Sequence, residues 1–180
     1  DYIKDENVYT HFKESSIYFE FSAGAGTAKY GDLPSKYPIA TNIMTNIYLK
    51  WRFALEMGGG YEYSRVFITS ENNKYETNGH YVGAILRYPI YMEDPLAFYF
   101  GMKFYQALNL VLSNKTSSES SSLDAQKIGT CFQLSLNVKP MRVNLGVNYD
   151  REWITPKTDT SRSANNVILF NIGLDYEWIL

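Results

Sequence analysis

Asn165-Asn166-Val167-Ile168-Leu169-Phe170-Asn171-Ile172-Gly173-Leu174-Asp175-Tyr176-Glu177-Trp178-Ile179-Leu180 places a large apolar side chain at every second position from Ile168 to Leu180. From Phe170 to Trp178 the intervening residues are Asn171, Gly173, Asp175 and Glu177. A period of two is the signature of an extended chain, whose successive side chains point to opposite faces. One face of this segment is greasy and the other polar, and the alternation runs to the last residue.

The same period recurs in seven earlier runs. Ser16 to Thr27 sets Ile17, Phe19, Phe21, Ala23 and Ala25 against Tyr18, Glu20, Ser22 and Gly24. A second run aligns Ile43, Thr45, Ile47 and Leu49. After a tight turn near Lys50 and Trp51, a third aligns Phe53, Leu55, Met57, Gly59, Tyr61 and Tyr63 against Arg52, Glu56, Gly58, Gly60 and Glu62. The fourth, Gly79 to Tyr88, aligns Val82, Ala84, Leu86 and Tyr88 against Arg87. The fifth sets Phe98, Phe100, Met102, Phe104, Leu108 and Leu110 against Tyr99, Gly101, Lys103, Tyr105 and Asn109. The sixth and seventh continue the pattern, with Lys127 and Arg142 on their polar faces. Helical periodicity is absent, so the chain reads as all-β, an eight-stranded antiparallel up-and-down barrel.

Composition narrows the class. A chain of 180 residues, one fifth charged and with net charge −2, fits one domain and offers no basic field for nucleic acid. The single cysteine, Cys131, has no partner for a disulfide and no metal-ligand spacing, so it reads as a small packed residue; no cofactor or metal is implied. No run approaches the roughly 18–20 apolar residues of a membrane helix. The chain begins at Asp1 without methionine, as expected of a product exported with a cleaved signal peptide. Tyrosine is heavily used, and aromatic residues gather where a protein crosses the membrane–water boundary.

The charge census decides which face is outside. The centres of the greasy faces carry no charge, whereas Glu20, Arg52, Glu56, Glu62, Arg87, Lys103, Lys127, Arg142, Asp175 and Glu177 share the polar face. A basic residue on the lipid face at mid-membrane would cost about 2–4 kcal/mol. The pattern therefore predicts a transmembrane barrel with a charge network in its lumen. Eight strands leave an interior just wide enough for side chains to fill, so the lumen should be sealed. A soluble ligand-binding barrel would instead turn Phe, Tyr and Trp from every strand inward and overfill itself. Tyr61, Tyr63, Tyr88, Phe98, Tyr149, Tyr176 and Trp178 lie toward strand ends on the greasy face and read as interface girdles. Connections alternate in length. Polar stretches 27–41, 67–78, 113–124 and 154–165 read as long extracellular loops, and the intervening turns as periplasmic. Residues 1–14 read as a polar periplasmic tail before a barrel over 15–180.

Two stretches are more specific. Gly83-Ala84-Ile85-Leu86-Arg87-Tyr88-Pro89, followed after a turn by Phe98-Tyr99-Phe100-Gly101-Met102-Lys103, resembles the middle hairpin of the small outer-membrane barrels. That family is typified by the transmembrane domain of outer membrane protein A and by OmpX. Asn171, Gly173, Tyr176 and Trp178 resemble the terminal signal by which the barrel assembly machinery recognises its substrates, although the family usually ends in Phe or Trp where this chain has Leu180. In overall impression the chain is also similar to spirochaete barrels that bind complement regulators. The resemblance implies a bacterial outer-membrane protein surrounded by outer-membrane lipid. It is expected to be non-enzymatic, with loops that serve adhesion or recruit host serum or matrix proteins. The alternatives are a purely structural barrel and a narrow pore.

Catalytic readings fail on spacing. A small-barrel deacylase would need a serine two residues from His80, where Val82 stands, so His80 reads as a rim residue. Glu56 and Glu62, six residues apart on one strand, are separated by roughly 20 Å, too far for an acid–base pair. Gly58-Gly59-Gly60 opens no helix and reads as relief of crowding in a narrow lumen rather than a phosphate cradle. Asn114-Lys115-Thr116 matches a glycosylation sequon by chance.

Overall fold

The computed structural model describes residues 15–30, 38–51, 55–69, 73–156 and 163–179. They form β1 (Ser16–Tyr30), β2 (Ile39–Lys50), β3 (Glu56–Thr69), β4 (Lys74–Glu93), β5 (Leu96–Asn114), β6 (Ser120–Val138), β7 (Met141–Pro156) and β8 (Ser163–Ile179). Each strand pairs antiparallel with its sequence neighbours, and β1 closes on β8 into one barrel. The expected tail 1–14, together with Arg52, Phe53 and Leu180, lies outside the described residues.

Register fixes the barrel's dimensions. From Ser16 the ladder runs through Lys50, Glu56, Arg87, Gly101, Cys131, Asn148 and Leu169 and returns to β1 at Gly26, ten residues on. With strands about 4.8 Å apart and a rise of about 3.3 Å per residue, that stagger tilts the strands by roughly 40°. The corresponding radius is about 8 Å, so side chains from opposite walls meet at the axis.

The alternation orients the wall as the sequence indicates. Phe170 is 66% exposed outside, whereas Arg87 is fully buried inside. On β8 the outward residues from Ile168 to Trp178 span roughly 34 Å of strand, and hence about 25 Å of height at this tilt. That matches the apolar band of a transmembrane barrel. Among the described residues no helix is long and apolar enough to cross a membrane, which says nothing of a crossing made by strands.

Two expectations need correction. Two of the stretches expected as long loops, 67–78 and 113–124, are more than half strand: β3 pairs with β4 up to Thr69 and Lys74, and β5 with β6 up to Ser113 and Ser120. The strand ends leave only 31–38, 70–73, 115–119 and 157–162 between them at this distal rim. Leu110 is also not on the greasy face. His80 pairs with Asn109 and Tyr81 with Ala107, while β6 moves from Gln106 to Leu110, so Leu108 is an extra residue against both neighbours. This bulge reverses the phase of β5 and buries Leu110 inside. Between β2 and β3 the turn spans 51–55, closed by Trp51 N donating to Leu55 O at 2.8 Å, so β3 begins at Glu56.

Candidate functional site

The lumen is built in three tiers. The tier nearest the chain termini centres on Arg87, whose Nη2 lies 2.7 Å from Glu56 Oε2 and 3.3 Å from Asp175 Oδ2. Its Nη1 lies 3.5 Å from Glu20 Oε2 and donates to Gln133 Oε1 at 3.1 Å. Arg142 enters from β7, its Nη1 2.7 Å from Glu56 Oε1 and its Nε 2.7 Å from Asp175 Oδ2. Six residues further along β3, Glu62 anchors the second tier. Lys127 Nζ lies 2.7 Å from Glu62 Oε1, and Lys103 Nζ lies 2.8 Å from Asp150 Oδ2 and 3.6 Å from Glu62 Oε2. Glu56 and Glu62 thus serve different tiers and face different cations.

Tyrosine rings fill the space between these charges. Arg87 stacks on Tyr48 at 3.6 Å and Arg142 on Tyr18 at 4.3 Å; Lys127 lies over Tyr81 at 4.1 Å. Tyr48 OH donates to Glu20 and Tyr81 OH to Glu152. The heavy use of tyrosine is therefore partly a lumenal matter rather than an interfacial one. A ring offers a cation a polarisable face and a hydroxyl offers a carboxylate a proton, so one residue type serves both signs of charge. Tyr18, Tyr99 and Tyr105 already stood on the polar faces in the sequence, which was the available signal. Asp150 likewise stood on that face without a visible partner.

Above the charges the interior turns apolar. Ala28, Ala40, Val66, Ile68, Leu110, Leu123, Ala125, Ile154, Val167 and Leu169 pack with Tyr81 and Tyr105 into a core at the distal end. At the same level the outer face becomes mostly polar, with Arg65, Glu76, Asn78, Gln106, Asp124, Gln126, Arg151 and Asn166, while Ile39 and Phe67 keep an apolar pair there. Polarity therefore inverts along the strands: polar inside and apolar outside across the belt, the reverse beyond it. A cavity of about 30 Å³ lies at the turn-side mouth among Lys50, Asp94, Lys139 and Glu177, and one of about 20 Å³ lies beside Glu20 and Lys103.

Glycine makes this packing possible. A Cβ at Gly129 would collide with the Asp150 carboxylate and come within 2.7 Å of Lys103 Cε, so the second tier closes over an absent side chain. At Gly60 it would strike the Asn46 amide.

The remaining expected residues fall as follows. Glu177 is half-buried near the chain termini and accepts from Ser16 Oγ at 2.9 Å and Tyr18 OH at 2.7 Å. Tyr61, Tyr63 and Tyr149 lie toward the distal side of the belt, and Tyr88, Phe98, Tyr176 and Trp178 toward the terminal side. Asn171 and Gly173 point inward, Tyr176 and Trp178 outward. His80 sits on the outer face, its Nδ1 2.6 Å from Tyr61 OH and its ring 4.9 Å from that of Tyr63. Asn114 Oδ1 accepts from the backbone N of Thr116 at 2.9 Å and of Ser117 at 3.3 Å, making it the pivot of a hairpin tip. Cys131 is a buried free thiol in the lumen. Among the described residues no group of three His, Cys, Asp or Glu is placed to hold a metal ion.

No protein-family model and no curated protein matches this sequence. Among solved structures the chain is similar to Neisserial surface protein A, at 15% identity over 90% of this chain and 97% of that one, with a TM-score of 0.61. Ail, the attachment invasion locus protein of Yersinia pestis, was solved in complex with the heparin analogue sucrose octasulfate. It aligns at 13% identity over 92% of this chain and 99% of that one, with a TM-score of 0.49. The N-terminal β-barrel domain of OprF from Pseudomonas aeruginosa aligns at 10% identity over 91% and 97%, with a TM-score of 0.47. At these identities the likeness is one of architecture: the chain has the fold of the small outer-membrane β-barrels.

Proposed function

We propose that the protein is a non-enzymatic integral barrel of a bacterial outer membrane that acts through the sheet it raises beyond the bilayer. The observation that carries this reading is the inversion of polarity. Strands β3 to β6 continue past the apolar belt with an apolar interior and a polar exterior, as a soluble body would. Ordering a backbone residue costs roughly 1–2 kcal/mol, so so much ordered chain beyond the lipid argues for a surface that does something. The short turns near Lys50, at 94–95 and at 139–140 suit the periplasmic side, which supports a distal rim that faces out of the cell. On this reading the cell exports the chain to its outer membrane. The barrel assembly machinery reads Asn171, Gly173, Tyr176 and Trp178, and the girdle aromatics set the barrel's height in outer-membrane lipid.

The ligands are macromolecules of the host or surroundings, such as serum or matrix proteins, met by the hairpins around 27–41, 67–78, 113–124 and 154–165. Replacing 70–73 and 115–119 by two-residue turns should leave heat-modifiable migration in detergent gels intact and abolish adhesion of expressing cells to immobilised matrix and serum proteins. Unchanged adhesion would overturn the hairpin reading. The paired charges and small cavities argue against a pore, and planar bilayers containing the protein should show no steady conductance.

A further inference from the structure

The bulge at Leu108 does more than reverse a phase. Between Gln106 and Leu110, β5 and β6 lose their regular pairing, and Gln106 Nε2 takes up the slack by donating to Ala125 O at 3.0 Å. On the outer face the parting opens a recess of about 260 Å³ lined by Gln106, Asp124, Ala125, Gln126, Trp153 and Thr155. Gln106 stands opposite Gln126, Gln126 opposite Trp153, and Asp124 opposite Thr155, so the lining is a patch across three adjacent strands. It begins one outward residue beyond Phe104 and Ile128, which close the apolar belt on β5 and β6.

The chemistry of the lining selects a ligand class. With Gln106 Nε2 held by Ala125 O, its Oε1 faces the recess as an acceptor, and the Asp124 carboxylate, which can take two vicinal hydroxyls at once, and the Thr155 hydroxyl add acceptors and a donor. Trp153 adds an aromatic face for the C–H face of a ring, and the Arg151 guanidinium, 5.6 Å from its centroid, fixes the indole. Asp124 disfavours an anion, and the amides disfavour a purely apolar guest. The volume falls below the range of drug-sized pockets, which leaves room for a single ring.

We propose that this recess is a subsite for one uncharged pyranose. The ring belongs either to a glycolipid headgroup in the same leaflet or to a glycan on another molecule. The inference rests on the membrane reading only for the level of the bilayer. Shortening the hairpin tips tests adhesion, whereas side-chain changes in the recess test this site, so either can fail alone.

Two arms test the proposal with the full chain in phosphatidylcholine nanodiscs. In the first, saturation-transfer NMR reads the methyl glycosides of glucose, galactose and mannose. In the second, the urea midpoint is compared with and without galactosyl diacylglycerol in the disc. At least one arm should respond, and Trp153→Phe or Gln126→Ala should weaken the response tenfold or more, with heat-modifiable migration showing that both variants fold. A response to free glycosides assigns the site to glycans on other molecules; a response only to the glycolipid assigns it to the leaflet. No response in either arm, or one unchanged in both variants, overturns the proposal.

Discussion

Replacing Arg87 by methionine is the sharpest test of the lumenal network. The guanidinium is fully buried and neighbours Glu56, Asp175 and Glu20 while stacking on Tyr48. Methionine keeps much of the volume, so the change removes charge and hydrogen bonds more than packing. Glu56 and Asp175 retain Arg142, at 2.7 Å and in a second direct pair. Glu20 is different: Arg87 is its one cation in the described lumen, and only Tyr48 and Asn46 continue to donate to it. Stripping one partner from a buried ion pair costs about 3–5 kcal/mol, most of it the penalty of the charge left behind. The loss should appear as a lower urea midpoint in lipid vesicles, followed by tryptophan emission and by gel migration without boiling. If the orphaned Glu20 carries much of the cost, Glu20→Gln in the Arg87→Met background should recover about 1–2 kcal/mol, a coupling in the range found for residues of one network. A single-variant loss below about 1 kcal/mol, or strictly additive variants, would refute the reasoning.

Gly129→Val should lose heat-modifiable folding outright because its side chain meets Asp150 and Lys103, whereas Gly59→Ala, with only Gly83 O at 3.3 Å, should fold normally. Ile172→Arg, near the middle of the lipid face, should cost about 2–4 kcal/mol in vesicle refolding equilibria, and Asn166→Arg, beyond the belt, under about 1 kcal/mol. Deleting Leu108 should be tolerated, because removal of the extra residue aligns Ala107 with Ala125 and Asn109 with Asp124 while keeping Leu110 inside; a loss of folding on gels would show that the bulge is needed for more than register.

The alternation made the faces legible because lipid tolerates no charge and the lumen tolerates little that is apolar across the belt. That single rule places Glu20, Glu56, Glu62, Arg87, Lys103, Lys127, Arg142 and Asp175 inside with no knowledge of their partners. Partners were not legible. Lys103 and Asp150 lie two strands apart, in register on either side of Gly129, and only the pairing of β5, β6 and β7 across that missing side chain brings their heads together. The strands beyond the belt were misread as loops for a related reason: once water replaces lipid, outward positions such as Glu76, Asn78, Ser120 and Ser122 become polar. The inward signal then rests on a few residues such as Val66, Ile68 and Leu123. Leu110 was misread because a bulge leaves no mark in composition.

The inversion and the bulge are connected. A strand with strict alternation keeps each face on its side of the wall, so a change from lipid to water must be met by changing residue types position by position. β6 does this, passing from Ile128 to Gln126 and Asp124 on its outer face. On β5 the greasy residues before and after the boundary, Phe104 and Leu110, share one parity in the sequence, and under strict alternation Leu110 would point outward beyond Gln106 and Gln126. Leu108, 65% exposed, is the residue that resolves the conflict. An insertion at the boundary therefore lets an apolar run serve the lipid face below and the core above. The recess beside Gln106 follows from the same device, so closing the bulge by deletion should also close the recess while the barrel stands.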